Sequence, residues 1–472
     1  MVRSAFILLF LSLSFGVVRA QYISEVLSYT PAPGQFINSA PWGTPGSAQS
    51  IVGGVSGSLC LGAFGGSVVF RFESAIENHP DNPYGVDFTI FGNPMAQWSE
   101  PGVVFVMEDE NGNGEADDTW YELAGSDHFF SSTRRNFSTT YFNPDQSEAA
   151  DVPWETQEGD EGFIRANSIH LQAYYPLPDS FPGIGTDETI YTGTLLEGAV
   201  DVDHPPLLIS GRRAFGYADN QVRGSAPYTL PDNPYTAEVE NSGGDAFDID
   251  WAIDNEGSYV ELERIHFVKV QSGILHEGGF LGEVSTEITG AVDVAPAPGI
   301  HGNTVQLVIK DLPPEMDATP MLMEAFLFHY GSPVEGSSIR WTCSEEWARV
   351  DEENHLRMTG SGPLTISARV DEEPQLEASV STLVSMDLTS STGTASDLSR
   401  PVIFPNPAGE SFRVYGVDGV RLTLYDVSGH MLKNVAYYRE GMMLACDNLL
   451  PGIYMLKLGD EKSSSCIRLL KR

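Results

Sequence analysis

Positive charge is what this chain most lacks. Against 65 Asp and Glu stand only 26 Lys and Arg, a formal net charge of −39 over 472 residues. A field of that sign repels nucleic acid and anionic membranes and favours divalent cations, so nucleic acid is excluded as a partner. Cysteine is scarce as well: there are four, with no CxxC pair and no Cys/His spacing suited to zinc. Cys446 and Cys466 both lie near the C-terminus and are able to pair in an oxidising compartment, whereas Cys60 and Cys343 are expected to be buried singly. Beyond residue 20 no apolar run approaches the ~20 residues that span a bilayer, so no transmembrane segment is expected in the mature chain. Catalytic signatures are missing too. There is no His-Glu-x-x-His, no Gly-x-Ser-x-Gly and no phosphate loop, and His276-Glu277 is followed by Gly278-Gly279-Phe280 without a second zinc-binding His. The expectation is a protein that is not an enzyme. A glycosidase carboxylate pair is set by spatial separation and leaves no such signature, so a hydrolase stays open as a third reading.

What is present begins with an export signal. Arg3 gives a positive start, Ala5 to Val18 a mostly apolar stretch, and Val18-Arg19-Ala20 a cleavage site ahead of Gln21. No Cys follows that site directly, which argues against a lipid anchor. Aromatic residues make up 10% of the chain, so its acidity belongs to a folded protein and not to a disordered tail. The length suits about three domains. A Pro-rich stretch, Val294 to Gly299, and a polar Ser/Thr-rich one, Thr389 to Arg400, read as linkers. The expected division is a signal peptide (1–20), an N-terminal β domain (21–293), an Ig-like domain (302–386), a linker (387–400) and a C-terminal segment (401–472).

Every part reads as β. Ser67 to Phe72, Val86 to Phe91, Val103 to Met107 and Tyr259 to Val270 are strand-like runs between Gly, Pro and Asn clusters, while amphipathic helical stretches are few. Thr304 to Ile309, Ile339 to Cys343 and Leu364 to Ala368 continue the pattern in the middle region. Arg421 to Tyr425 and Tyr454 to Leu458 alternate in the last one. The fold class is all-β: an N-terminal β-sandwich or jelly-roll, an Ig-like sandwich and a small C-terminal β-sandwich.

One short segment carries metal chemistry. Asp109, Asn111 and Asn113 place oxygen-bearing side chains at alternate positions, Gly114 permits a sharp turn, Glu115 offers its backbone carbonyl, and Asp117 or Asp118 closes the shell. This resembles the start of an EF-hand-type loop. The twelfth position, however, is Trp120 where that loop needs Glu, and the flanks are strand-like. A structural calcium between two strands is expected; the alternative is a plain Asn-Gly turn. Asp248, Asp250 and Asp254 form a second acidic cluster around Trp251, and alternation would place Asp248 and Asp250 on one face of an extended segment; a solvated strand face is the expected reading and a second cation site the alternative. Asp87, Asn93 and Glu100 flank a Gly/Pro/Trp loop able to line a pocket. Trp98, Trp120, Trp154 and Trp251 are candidates for stacking on a ligand, though a place in the core is the expected role of each.

The C-terminal motifs are the most informative. Phe404-Pro405-Asn406-Pro407-Ala408, Leu424-Tyr425-Asp426-Val427-Ser428-Gly429, Leu450-Pro451-Gly452-Ile453-Tyr454 and the closing Ile467-Arg468-Leu469-Leu470-Lys471-Arg472 occur in this order and spacing. Together they resemble the C-terminal sorting domain of the type IX secretion system, which carries proteins across the outer membrane of certain Gram-negative bacteria. The resemblance implies a secreted protein at the outer-membrane surface or beyond it, with the secretion machinery as a partner. Farther upstream, Leu61 to Gly66, Asp87 to Asn93, Glu100 to Val103, Trp120 to Gly125 and Phe247 to Ala252 are similar to bacterial cell-surface proteins encoded beside TonB-dependent transporters, some in vitamin B12 uptake loci. That similarity implies capture of a small nutrient such as a corrinoid for such a transporter. An adhesin or glycan-binding surface protein fits the same organisation.

Overall fold

The computed structural model describes residues 21–95, 98–197, 210–276, 282–313, 315–371, 373, 375–385, 402–404, 408, 411–415, 417, 419–426, 430–439, 442–450, 452–460 and 463–471. The expected signal peptide and the 387–400 linker lie outside them. The protein is all-β; helical structure among the described residues is confined to short 3-10 turns such as Pro45–Ile51, Ser126–Phe129 and Ile249–Trp251.

A six-stranded antiparallel sheet organises the N-terminal region, in the order Glu25–Thr30, Ser67–Glu77, Arg264–Ser272, Gly102–Met107, Tyr121–Leu123, Ala252–Ile253. Its second strand shows why the sequence was readable. Val68, Phe70 and Phe72 are buried, while Ser67, Val69 and Arg71 between them stay partly exposed, the period of two of a half-buried strand. Opposite lies a smaller sheet of Asp245–Phe247, Phe88–Phe91 and Gly290–Asp293. All four residues of its central strand are buried, as in a strand covered on both faces. Phe70, Val104 and Val268 from the large sheet share one core with Phe88, Ile90 and Phe247 from the small one, which makes a sandwich.

A further four-stranded sheet, Glu188–Leu195, Arg134–Phe142, Val152–Thr156 and Glu161–Ile164, has its own core of Phe64, Phe137, Tyr141, Tyr174 and Tyr191. The middle region follows with sheets that include Val305–Ile309, Ala325–His329, Ile339–Cys343 and Gly362–Val370. It is joined tightly to the N-terminal region. Phe328 sits in the main N-terminal core, its ring centroid 5.1 Å from that of Phe215, and Trp251 Nε1 donates to the Tyr330 carbonyl at 2.9 Å.

The C-terminal region pairs Met431–Tyr438, Val420–Asp426, Gly452–Asp460 and Ser463–Lys471 in one sheet. Leu424 faces Leu456, which in turn faces Ile467, so one row of aliphatic side chains crosses three strands. Cys466 lies on the last of these strands, its side chain outside the described residues. Cys60 is buried against the Ser285 hydroxyl, as expected of a single thiol, and Cys343 is only half-buried.

Candidate functional site

The 109–118 segment is the loop joining Gly102–Met107 to Tyr121–Leu123, two paired strands of the large sheet. Its side chains turn inward. Asp109 accepts from Asn113 N at 3.1 Å and from Gly114 N at 2.9 Å, while Asn111 Oδ1 accepts from Asn113 N and Asn113 Oδ1 from Glu115 N. Asn111 Nδ2 reaches Asp117 and Asp118 at 3.2 and 3.3 Å, and Asn113 Nδ2 reaches both oxygens of Asp117. Gly114 has φ +78°, a conformation in which a side chain would be strained, and it is this turn that carries the chain back over Asp109. Asp109, Asn111, Asn113, Asp117 and Asp118 are therefore tied together within one loop, the two amides presenting nitrogen to Asp117 and Asp118, and their side-chain oxygens are of the kind that a hard cation such as calcium takes. Arg71 Nη1 holds the Gly114 carbonyl at 3.3 Å and His266 Nδ1 accepts from Asp109 N, which fixes the loop on the sheet.

The second acidic cluster is arranged differently from the sequence expectation. Asp248 caps the 3-10 turn Ile249–Trp251, so the segment is not extended there; Asp248 is buried while Asp250 is exposed. Asp254 is used elsewhere, accepting from Glu256 N and Ser258 N in its own turn. The partner that joins Asp248 is Asp87, at the start of the neighbouring strand of the small sheet. Burial, followed by each other's charge or that of Asp250, pushes both carboxyls up, Asp87 to about 7. Asp87, Asn93 and Glu100 do not line one pocket. Asp87 and Glu100 are buried in separate clusters, and Asn93 contributes its backbone N–H to Asp219.

Glu100 instead belongs to a group that no local pattern announced. Oxygens of Glu100, Asp219 and Glu287, all buried, lie within 4.8 Å of one another. Asn93 N and Glu287 N each donate to Asp219 at 2.8 Å, Ser285 N donates to Glu100 at 2.9 Å, and Ser285 Oγ donates to Glu287 at 3.0 Å. Burial, then the neighbouring carboxylates, pushes all three up, Glu287 to about 8. Several covered cations are engaged elsewhere: Arg135 with Glu122, Arg213 with Asp127, and Lys310 with Glu197 and Glu324. Three carboxylates so placed share protons or take a hard cation.

A cavity of about 670 Å³ opens beside the four-stranded sheet. Trp154 and Phe137 form its aromatic side; Arg134, Asp160, Glu197 and His276 supply its polar groups. Burial pushes the His276 imidazole down, leaving it neutral near pH 7. The rim reaches the middle region: Lys310 pairs with Glu197 at 3.0 Å, and Glu324 accepts from both Ser131 N and Ser131 Oγ. Of the four tryptophans named from sequence, Trp154 lines this cavity. Trp98 and Trp251 are core residues, and Trp120 lies 5.2 Å from Lys269 Nζ on the large sheet. The sequence signal for the cavity was weak, because its walls come from four separate stretches of chain.

Comparison with known proteins informs the C-terminus. Curated protein sequences gave no match. Among solved structures, the Yersinia pseudotuberculosis adhesin InvE aligns at 10% identity over 36% of this chain and 59% of that one, with a TM-score of 0.14. The titin I-band fragment I67–I69 aligns at 14% identity over 47% and 83%, TM-score 0.14, and the Drosophila OTK extracellular domains 3–5 at 12% over 46% and 82%, TM-score 0.13. This chain thus spans just over half of the adhesin, and scores so low carry no argument. The similarity of the N-terminal region to surface proteins of TonB-dependent uptake loci finds no support in these comparisons. Residues 402–472, by contrast, match the family described as the secretion system C-terminal sorting domain. The chain therefore ends in a type IX sorting domain, engages that secretion machinery, and is exported to the cell surface or the extracellular space.

Proposed function

We propose that this exported protein captures a small ligand, without chemical turnover, in the cavity between the four-stranded sheet and the rim of the middle region. The observation that carries the reading is the cavity itself. Its volume of about 670 Å³ falls within the ~300–1,000 Å³ of small-molecule sites, and it combines an aromatic wall with a few fixed polar groups. Trp154 offers a flat apolar surface, and Glu197, His276 and Arg134 offer acceptors and donors around it. A nutrient such as a corrinoid, passed to a TonB-dependent transporter, is the finer form of this proposal and rests on the N-terminal sequence resemblance. An adhesin or glycan-binding role uses the same cavity for a sugar ring on Trp154. In both forms calcium in the Asp109–Asp118 loop is structural, because it neutralises the clustered carboxylates and steadies the strand that begins at Tyr121.

Calorimetric titration of the mature chain, first with cobalamin and then with a panel of host and bacterial glycans, tests the proposal. Saturable binding of one of them, weakened at least ~10-fold by Trp154→Ala (about 1.4 kcal/mol) with the fold retained, is expected. Flat titrations with both, or binding indifferent to Trp154→Ala, overturn the assignment of this cavity. Chelation is expected to lower the Tm of the N-terminal region, and Asp109→Asn with Asp117→Asn to remove the calcium response of that loop.

A further inference from the structure

We propose that Asn82, Asp87 and Asp248 form a binding site for a hard divalent cation, calcium by its oxygen ligands, beneath the junction of the N-terminal and middle regions. Asp87 is fully buried at the start of the strand Phe88–Phe91, and Asp248 is 2% exposed at the cap of the 3-10 turn Ile249–Trp251. The two carboxylates are brought together by pairing of their strands, Phe88 with Phe247. Their hydrogen bonds come from neutral groups only. Ile249 N donates to Asp87 Oδ2 at 2.8 Å, His79 N lies 3.4 Å from Asp87 Oδ1, and Asp250 N donates to Asp248 Oδ1 at 2.8 Å. Asp250, which accepts from Asn78 at 2.6 Å, adds a third negative charge at the exposed edge.

Asn82 is the independent sign of a missing partner. Its side chain is 6% exposed, and its Nδ2 donates to Asp87 Oδ1 at 2.7 Å, so the amide lies against that carboxylate. Its carbonyl oxygen, Oδ1, is buried with no hydrogen-bond partner. A buried acceptor left unpaired costs about 1–3 kcal/mol, and here it belongs to an amide held against the buried Asp87 carboxylate. An acceptor in that position is what a cation would use and what a further hydrogen-bond donor would otherwise have to satisfy.

The backbone has made room. Gly85, at φ +82° in the turn between Asn82 and Asp87, lets Asp248 approach so closely that a Cβ there would sit 2.6 Å from Asp248 Oδ2. The donor set is two carboxylates and an amide oxygen, which suits calcium or magnesium and no soft metal. Calcium is preferred because these ligands come from two irregular turns, and calcium accepts irregular geometry with water in its remaining positions. The location gives the site a consequence. Trp251, in the turn that Asp248 caps, donates to Tyr330 in the middle region, so a cation here would brace the contact between the two regions.

Terbium, a calcium substitute whose emission is excited by nearby tryptophan, is the probe. It is titrated into the mature full chain carrying Asp109→Asn and Asp117→Asn, which disable the 109–118 loop. One tryptophan-sensitised site, displaced by calcium and only weakly by magnesium, is expected. Asp248→Asn should weaken it by about 10–100-fold or more. That variant relieves carboxylate repulsion, so its metal-free Tm should not fall, which separates loss of the site from loss of the fold. Asn82→Ala, which removes the unpaired oxygen together with the Nδ2 hydrogen bond to Asp87, should weaken terbium as well. No terbium signal in the loop-disabled chain overturns the proposal. So does a signal kept in Asp248→Asn, or one lost on Glu100→Gln instead, which would place the cation in the Glu100, Asp219 and Glu287 group.

Discussion

The N-terminal region and the sorting domain are built from the same antiparallel strands, yet their cores are of opposite kinds. In the sorting domain Phe412, Val414, Leu422, Leu424, Leu456, Leu458 and Leu469 fill the interior, and no carboxylate is among the buried residues described in 402–471. The N-terminal region buries Asp87, Glu100, Glu122, Asp127, Asp219, Asp245, Asp248, Glu283 and Glu287 along with its apolar residues. Burial of an unpaired carboxylate is costly, and it is tolerated where a hydrogen bond, a proton or a cation offsets it. The sorting domain serves recognition by the export machinery, and an apolar core suffices to hold its strands in place. The N-terminal region carries interior charge, and with it sensitivity to pH and to cations.

The largest expected effect breaks the comparison if the regions are not independent. Trp251→Ala empties a fully buried site in the N-terminal core and frees the Tyr330 carbonyl, at a cost of about 3–5 kcal/mol. Leu424→Ala in the sorting domain should cost about 2–5 kcal/mol. In urea unfolding of the full chain, Trp251→Ala should shift the transition shared by the N-terminal and middle regions, and Leu424→Ala only that of the sorting domain. A shift of every transition by either variant would mean one cooperative unit.

Acidity sharpens the comparison. Burial, then Asp219, pushes Glu287 from 4.5 up to about 8, and burial pushes Asp245 from 3.8 up to about 7. Between the unfolded and folded values the native chain holds protons that the unfolded chain releases. Stability from these groups is therefore complete below about pH 4 and is lost as pH rises through 7 to 8. Thermal melts in chelator should show the N-terminal transition falling between pH 5 and 8 while the sorting-domain transition stays level. Glu100→Gln should flatten that slope, because it removes a carboxyl that burial, then the Glu287 charge, itself pushes up. Equal slopes in both transitions would show that the buried carboxylates are not its source.

Much of this contrast was legible in the sequence on the sheet side and little on the polar side. Ile339–Cys343 and the run from Ser67 were readable because alternation is a local property of the strand. The grouping of the 109–118 side chains was legible for the same reason: those that hydrogen-bond to one another sit within ten residues. Glu100, Asp219 and Glu287 come from three distant stretches, and only the pairing of strands brings them together, so no spacing rule finds them. Alternation misplaced Asp250 because a 3-10 turn interrupts the strand at Ile249. The tryptophans were ambiguous by nature: Trp98 and Trp251 fill the core, while Trp154 reaches a cavity whose other walls are remote in sequence.

The smallest expected effect isolates burial from charge as the cause. Arg165 pairs with Asp151 at 2.7 Å on the N-terminal region's surface, with its side chain 58% exposed. The arginine also lies 4.4 Å over the Phe163 ring. Water and salt screen such a pair, so Arg165→Ala should cost under ~1 kcal/mol. If net charge governed the pH response, removing a cation from a chain at −39 would steepen it measurably. If interior carboxylates govern it, Arg165→Ala should leave the slope between pH 5 and 8 unchanged, while Glu100→Gln alters it. Paired melts of the two variants distinguish these causes, because they move surface charge and interior charge separately.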